Sequence, residues 1–369
     1  MINLAQPDIT QKEIDIVTEV MKSNILSIGP KINEFEQKFK DYFHVKHAIA
    51  VNSGTSGLHL LVKSLDIKEG DEVITTPFSF VASTNCFLFE RAKPVFIDID
   101  KDTLNMNIDK IEEKITDKTK AILVVDVFGH PNNMEKIKRI GDKYKIKIIE
   151  DSCEAIGSEY NGIKSGTLGD CGVFAFYPNK QITTGEGGMI ITNNDEIADL
   201  CRSLRSQGRA ITEMWLHHER IGYNYRMNEL QAAIGIVQME RLDEILEKRQ
   251  KVANMYNERL KEIKGIIIPY IDTKVTKMSW FVYVIRLNSD IDRNKVLEYL
   301  SNNNIGCKPY FSPIHLQPYM KKVFGFKQND FPITEKISNS TIALPFYNNL
   351  TIDEIDYIAE KLEEAINIL

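Results

Sequence analysis

Three short stretches hold residues whose types and spacing could do chemistry. In 174–188 an apolar run, Phe174-Ala175-Phe176-Tyr177-Pro178-Asn179, leads into Lys180, and Gly185-Glu186-Gly187-Gly188 follows. A lysine is ordinarily a solvated surface charge. Here aromatic residues and close-packing glycines flank it, and an amine in a partly desolvated site becomes a nucleophile able to form a Schiff base. In 148–154 the run Ile148-Ile149-Glu150 ends in Asp151, and Glu154 lies three positions on. A carboxylate at the carboxyl end of a strand can face a ligand and keep a cationic group protonated. The alternative is an N-cap for the following helix. In 51–57, Val51-Asn52-Ser53-Gly54-Thr55-Ser56-Gly57, small residues let the backbone approach a ligand. The free amides of a following helix attract an anion, and Thr55 and Ser56 would add hydroxyl donors to form a phosphate cup. The alternative is a tight turn with an N-cap. No Gly-Lys-Ser/Thr follows, so this is not a Walker loop.

A phosphate cup, an acid for a ring nitrogen and a Schiff-base lysine are together what pyridoxal 5′-phosphate requires. The separation of Asp151 and Lys180 lets adjacent elements bring acid and amine to opposite ends of one pyridine ring. Phe80, just beyond the strand expected at 72–76, could stack on the ring face or sit in the core.

Such residues need elements to hold them. Short β-rich runs at 47–51, 72–76, 94–99, 121–127, 145–149, 172–177 and 188–192 alternate with helix-like stretches, one of them at 32–43. Several runs are continuously apolar, as in strands buried on both faces. The pattern predicts βαβ units, an α/β fold with a mostly parallel mixed sheet flanked by helices. Ligands of such sheets collect beyond the carboxyl ends of the strands. From Met227 onward Leu230, Ile234, Val237, Leu242, Ile245 and Leu246 recur at helical spacing, which predicts one long helix reaching about Leu260. A strand at 281–287 and helices at 293–300 and 352–366 then predict a smaller α+β domain. The chain is divided accordingly into a large cofactor-binding domain over 1–244, including the N-terminal segment, and a small C-terminal domain over 245–369.

The 369 residues, 43% hydrophobic and 27% charged, suffice for a large buried core without disulfides or metals. The net charge of -6 gives no global electrostatic reason to seek nucleic acid or an anionic membrane. The longest strongly apolar run, 121–125, is far too short to span a bilayer, and the N-terminus lacks the order of a secretory signal. The five cysteines are odd in number and show no C-x-x-C spacing, which argues against a disulfide framework or structural zinc. His217-His218 has no spaced third ligand, so no metal is expected. A cytoplasmic enzyme is the expectation.

Further landmarks are Leu26-Ser27-Ile28-Gly29-Pro30, Gly70-Asp71-Glu72-Val73-Ile74, Gly222-Tyr223-Asn224-Tyr225-Arg226 and Glu229-Leu230-Gln231-Ala232-Ala233. In order with the three motifs above, over nearly the full length, they resemble the sugar aminotransferases of the DegT/DnrJ/StrS family, pyridoxal-phosphate enzymes of fold type I. The resemblance implies that Lys180 carries the cofactor, that Asp151 partners its ring nitrogen and that Phe80 stacks on it. It implies a phosphate site at Gly54, Thr55 and Ser56. Glu154 falls where many relatives place Gln or His beside the phenolic oxygen, and Ala175 where many have a phosphate-binding Ser. Asn224 would reach the phosphate of a neighbouring subunit, which implies a homodimer with shared active sites. Ser27, Glu186, Arg226 and His315 would contact substrate; for His315 the alternative is a loop histidine satisfied by backbone.

The family's reaction implies transfer of an amino group from L-glutamate to a nucleotide-linked keto sugar, for surface polysaccharide (perosamine-like sugars among others) or other amino sugars. The run 183–188 resembles members that aminate C4 of a 4-keto-6-deoxy sugar; amination of C3 is the alternative. Related dehydratases replace the Schiff-base lysine with histidine, so Lys180 argues against that activity. A non-catalytic regulator on this fold would be expected to carry a DNA-binding appendage, and none is visible.

Overall fold

The computed structural model describes residues 1–210 and 217–368. Seven strands form the central sheet: β1 (His47–Val51), β2 (Glu72–Thr75), β3 (Lys93–Phe96), β4 (Thr119–Val125), β5 (Lys147–Asp151), β6 (Cys171–Ala175) and β7 (Gly188–Thr192). Their order across the sheet is β1-β7-β6-β5-β4-β2-β3. The pairs β2·β3, β2·β4, β4·β5 and β5·β6 are parallel, and β7 runs antiparallel to both neighbours. The continuously apolar runs are central: Ile122, Leu123, Val124, Ile149 and Val173 are wholly or almost wholly buried, because helices cover both faces.

The covering helices are α1 (Gln11–Ser23), α2 (Pro30–Phe43), α3 (Gly54–Ser64), α4 (Ala82–Leu88), α5 (Met134–Tyr144) and α6 (Asp195–Arg205). The single long helix expected from Met227 is two, α7 (Glu229–Glu240) and α8 (Leu242–Leu260). At Arg241 the backbone leaves helical geometry, with φ -99° and ψ 3°. Its guanidinium is bound there by Asp8 and Glu13, each at 2.8 Å. The apolar period runs through the break because Ile236, Met239, Leu242 and Ile245 all face one core.

Farther along α8, Val252, Ala253, Tyr256 and Leu260 join a second core. That core is built on an antiparallel sheet of β8 (Ile266–Ile267), β9 (Tyr283–Leu287) and β10 (Thr341–Leu344), with α9 (Arg293–Asn302) and α10 (Ile352–Ile368). The first residues belong beside it: Ile2 bridges Ile305, and Leu4 accepts the Phe346 N–H at 2.8 Å. Among the described residues no helix is long and apolar enough to cross a membrane.

Candidate active site

The site lies beyond the carboxyl ends of β5 and β6. These strands pair in parallel, Asp151 opposite Val173, so their ends open on the same edge of the sheet. After β6 the chain turns through 177–187 and re-enters the sheet as β7. Gly188 is required at that entry: a Cβ there would stand 2.7 Å from the Ser53 backbone. The close approach brings the β1–α3 turn against the lysine loop. A cleft of about 750 Å³ results, lined among others by Thr55, Phe80, Asp151, Glu154, Lys180 and Glu186.

Along β5 alternate residues face opposite ways. Glu150 points away from the cleft and accepts the N–H groups of Gly166, Leu168 and Gly169. Burial, with Asp126 beside it, pushes its carboxyl up to about 7. Asp151 points the other way and is 4% exposed. Its Oδ2 accepts from Ser83 Oγ at 2.7 Å, and its Oδ1 from the Cys153 N–H at 3.3 Å. Ser83 lies on α4 and escapes a sequence reading, because nothing local ties it to position 151. Lys180 Nζ lies 3.5 Å from Glu154 Oε1 and 3.9 Å from the ring centroid of Phe281, which also lines the cleft. The Phe128 N–H donates to Glu154 Oε2 at 2.8 Å. Burial raises the Glu154 carboxyl, with the Lys180 charge opposing that rise.

At the other end of the cleft α3 begins at Gly54, with Ser53 as its N-cap. A Cβ on Gly54 would come within 2.7 Å of the Ala175 Cβ, so only glycine leaves this cradle open. The amides of a first helical turn have no acceptor within the helix and favour an anion. Thr55 lines the cleft, as does Ser53, but Ser56 does not. The Ser56 hydroxyl, expected in the cup, is engaged within the chain: it is buried, donates to Asn52 Oδ1 at 2.6 Å and lies 2.8 Å from Ser53 Oγ. Phe80 stands at the mouth, 61% exposed, an aromatic face that the chain itself leaves uncovered. An anion seat, a buried acid, an amine and an uncovered ring around one cleft fit pyridoxal phosphate.

The remaining expected residues are placed differently. Glu186 is exposed on the cleft rim. Ser27 and Asn224 are exposed and Arg226 is half-buried, and none of the three lines the cleft of its own chain. Buried Glu229, on α7, accepts the N–H groups of Gly29, Lys31 and Ile32, which fixes the segment that carries Ser27. The Tyr225 carbonyl accepts the Asn52 N–H at 2.9 Å, so the segment of Asn224 and Arg226 rests on the base of the β1–α3 turn. His315, expected at the substrate, does not line the cleft. It is fully buried, its Nε2 lies 3.1 Å from Glu335 Oε1 and its ring packs edge-on against Phe331. A carboxylate from a later helix, rather than backbone, meets its Nε2, while its buried Nδ1 has no hydrogen-bond partner among the described residues. The same loop instead gives the cleft Tyr310, Ser312 and Gln317, which carry no local spacing signal because they meet the cleft only through the fold.

A mixed, mostly parallel sheet with a lysine and an acid beyond its strand ends fits a pyridoxal-phosphate enzyme of fold type I. The chain belongs to the DegT/DnrJ/EryC1/StrS aminotransferase family, whose model matches residues 7–363. It is 37% identical to the GDP-perosamine synthase of Escherichia coli O157:H7, with 98% of each chain covered. It is 33% identical to UDP-4-amino-4,6-dideoxy-N-acetyl-beta-L-altrosamine transaminase of Campylobacter jejuni, over 98% of this chain and 96% of that one. Among solved structures it superposes on PseC of Helicobacter pylori, an aminotransferase involved in the biosynthesis of pseudoaminic acid. The TM-score is 0.95, with 28% identity and all of both chains covered. The protein is a pyridoxal-phosphate-dependent sugar aminotransferase, which implies a nucleotide-sugar substrate and an amino donor.

Proposed function

We propose that this chain moves the amino group of L-glutamate to C4 of a nucleotide-linked 4-keto-6-deoxy sugar, with Lys180 and Asp151 as its catalytic residues. The observation that carries the reading is the convergence of Lys180, Asp151 and the start of α3 on one cleft. Asp151 accepts a hydrogen bond from the ring nitrogen and keeps it protonated, and Ser83 holds that carboxylate in place. Gly54 and Thr55 seat the phosphate at the helix N-terminus, and Phe80 covers one ring face. When bound, the cofactor supplies an electron sink for bond cleavage at the amino-bearing carbon. Lys180 Nζ takes the proton from the α-carbon of glutamate in one half of the cycle and delivers a proton to C4 of the sugar in the other. Glutamate leaves as 2-oxoglutarate, and the keto sugar leaves as an amino sugar.

Two observations favour C4 over C3: the run Thr183-Thr184-Gly185-Glu186-Gly187-Gly188, which resembles that of family members aminating C4, and a relative named for a 4-amino-4,6-dideoxy sugar. A second copy completes the site in this reading. Asn224, Arg226 and Ser27 stand outside the cleft of their own chain, and Ile25, Leu26 and Ile28, beside Ser27, are 45–61% exposed. Apolar surface of this kind marks an interface, and a two-fold partner would offer Asn224 to the opposite phosphate. The test is a panel of 4-keto and 3-keto sugar nucleotides with glutamate, read by mass. Amination of the 4-keto sugars is expected. Amination of 3-keto sugars alone would overturn the C4 assignment.

A further inference from the structure

We infer that Glu154 works as an uncharged acid, holding a proton on Oε1 for the phenolic oxygen of the bound cofactor. The inference rests on the cofactor placement proposed above and deepens it. The two oxygens of this carboxyl are not equivalent. Oε2 accepts the Phe128 N–H at 2.8 Å, and an oxygen engaged by a donor has no use for a proton of its own. Oε1 faces Lys180 Nζ at 3.5 Å, well beyond the ~2.8 Å of a strong charge-assisted bond. The backbone beneath is pinned too, since the Glu154 carbonyl accepts Gln181 Nε2 at 2.6 Å. The Phe128 contact thus holds the carboxyl toward the part of the cleft in front of Lys180.

The charged and titratable groups around it come from three sides. Asp151 and Cys153 stand on its own segment, Lys180 on the loop after β6, and Tyr310 on the opposite wall of the cleft. Of these only Lys180 is a cation. When Lys180 Nζ replaces the aldehyde oxygen of the cofactor, which leaves as water, its charge is matched within the cofactor by the phenolic oxygen. Glu154 then loses its counter-ion and is left among acceptors, in a site where burial already favours the neutral form. Two anions in one buried place repel each other, and one proton relieves the repulsion. A neutral Glu154 donates from Oε1 as a glutamine would donate from its amide, so a carboxyl can occupy this position without opposing the phenolic oxygen.

The test uses protein loaded with pyridoxal phosphate, without substrate: wild type, Glu154→Gln and Glu154→Ala. Visible absorption is followed against pH, and proton uptake on loading is measured by titration calorimetry in two buffers of different ionisation enthalpy. If Glu154 is a neutral donor, the Gln midpoint stays within about half a pH unit of wild type. The Ala midpoint rises, because the phenolic oxygen has lost its donor. Wild type also takes up about one proton more on loading than the Gln variant. Midpoints that fall by roughly one unit or more in both variants, with equal proton uptake, overturn the inference, because they reveal a carboxylate. Failure of wild type itself to develop a visible band would instead overturn the cofactor placement.

Discussion

Ser83 Oγ donates a 2.7 Å hydrogen bond to Asp151 Oδ2, joining α4 to the end of β5 across 68 residues of sequence. Hydrogen bonds to charged groups are worth ~1.5–3 kcal/mol, so Ser83→Ala should slow amino transfer by roughly 10-fold. Asp151→Asn, which removes the charge itself, should slow it by about 10³-fold. Glutamate half-reaction rates, followed by the change in visible absorption, separate the two. A Ser83→Ala enzyme at wild-type speed would reduce this contact to packing.

Lys180→Ala should bind pyridoxal phosphate without the covalent link that borohydride traps in wild type. Its turnover should fall by at least ~10³-fold, since both the nucleophile and the proton carrier are gone. Retained turnover with sugar nucleotides would remove Lys180 from the mechanism.

Glu229 is 1% exposed and serves three backbone amides at the start of α2. Glu229→Ala leaves those donors buried without their acceptor, and should lower stability by about 2–3 kcal/mol in denaturant unfolding. Where the variant remains folded, KM for the sugar nucleotide should rise more than the rate of the glutamate half-reaction falls, because the Ser27 segment has lost its anchor.

Glu150 gives a pH dependence of stability with a definite sign. Its carboxyl, at about 7 in the folded protein, lies above the ~4.3 of an unfolded glutamate. The folded state therefore binds this proton more tightly, and the group's contribution is whole below ~4.3 and lost as pH rises through the folded value. Thermal melts of Glu150→Gln against wild type should show a shallower decline between about pH 5 and 8. Parallel profiles would show that Glu150 is ionised throughout.

Mixing separately inactive Lys180→Ala and Asn224→Ala chains tests the shared site. Subunit exchange should restore roughly a quarter of wild-type activity, from mixed pairs that each hold one intact site. No recovery after demonstrated exchange would place Asn224 outside the partner's site.

The strands were legible because burial on both faces writes itself as unbroken apolar runs, and β1 and β7 fall on the residues expected. Lys180, Asp151, Glu154 and Thr55 were legible as neighbours of one cleft because each sits at a strand end or in a glycine-rich turn. Ser83, Phe281 and Tyr310 were not, since each meets the cleft through contacts far apart in sequence. A hydroxyl can be read from sequence, but its competing acceptor cannot: Asn52 captures Ser56. Glu335 captures His315 in the same way. The break at Arg241 is silent because hydrophobic spacing continues through it.

The backbone bond between Asn52 and Tyr225 has a consequence for an assembled pair. In the proposed pair, the strand end that supports one chain's anion seat would also support the residue offered to the other chain. Damage at either position would then be felt in two chemical centres at once, and natural variation in the two segments should be constrained jointly rather than independently.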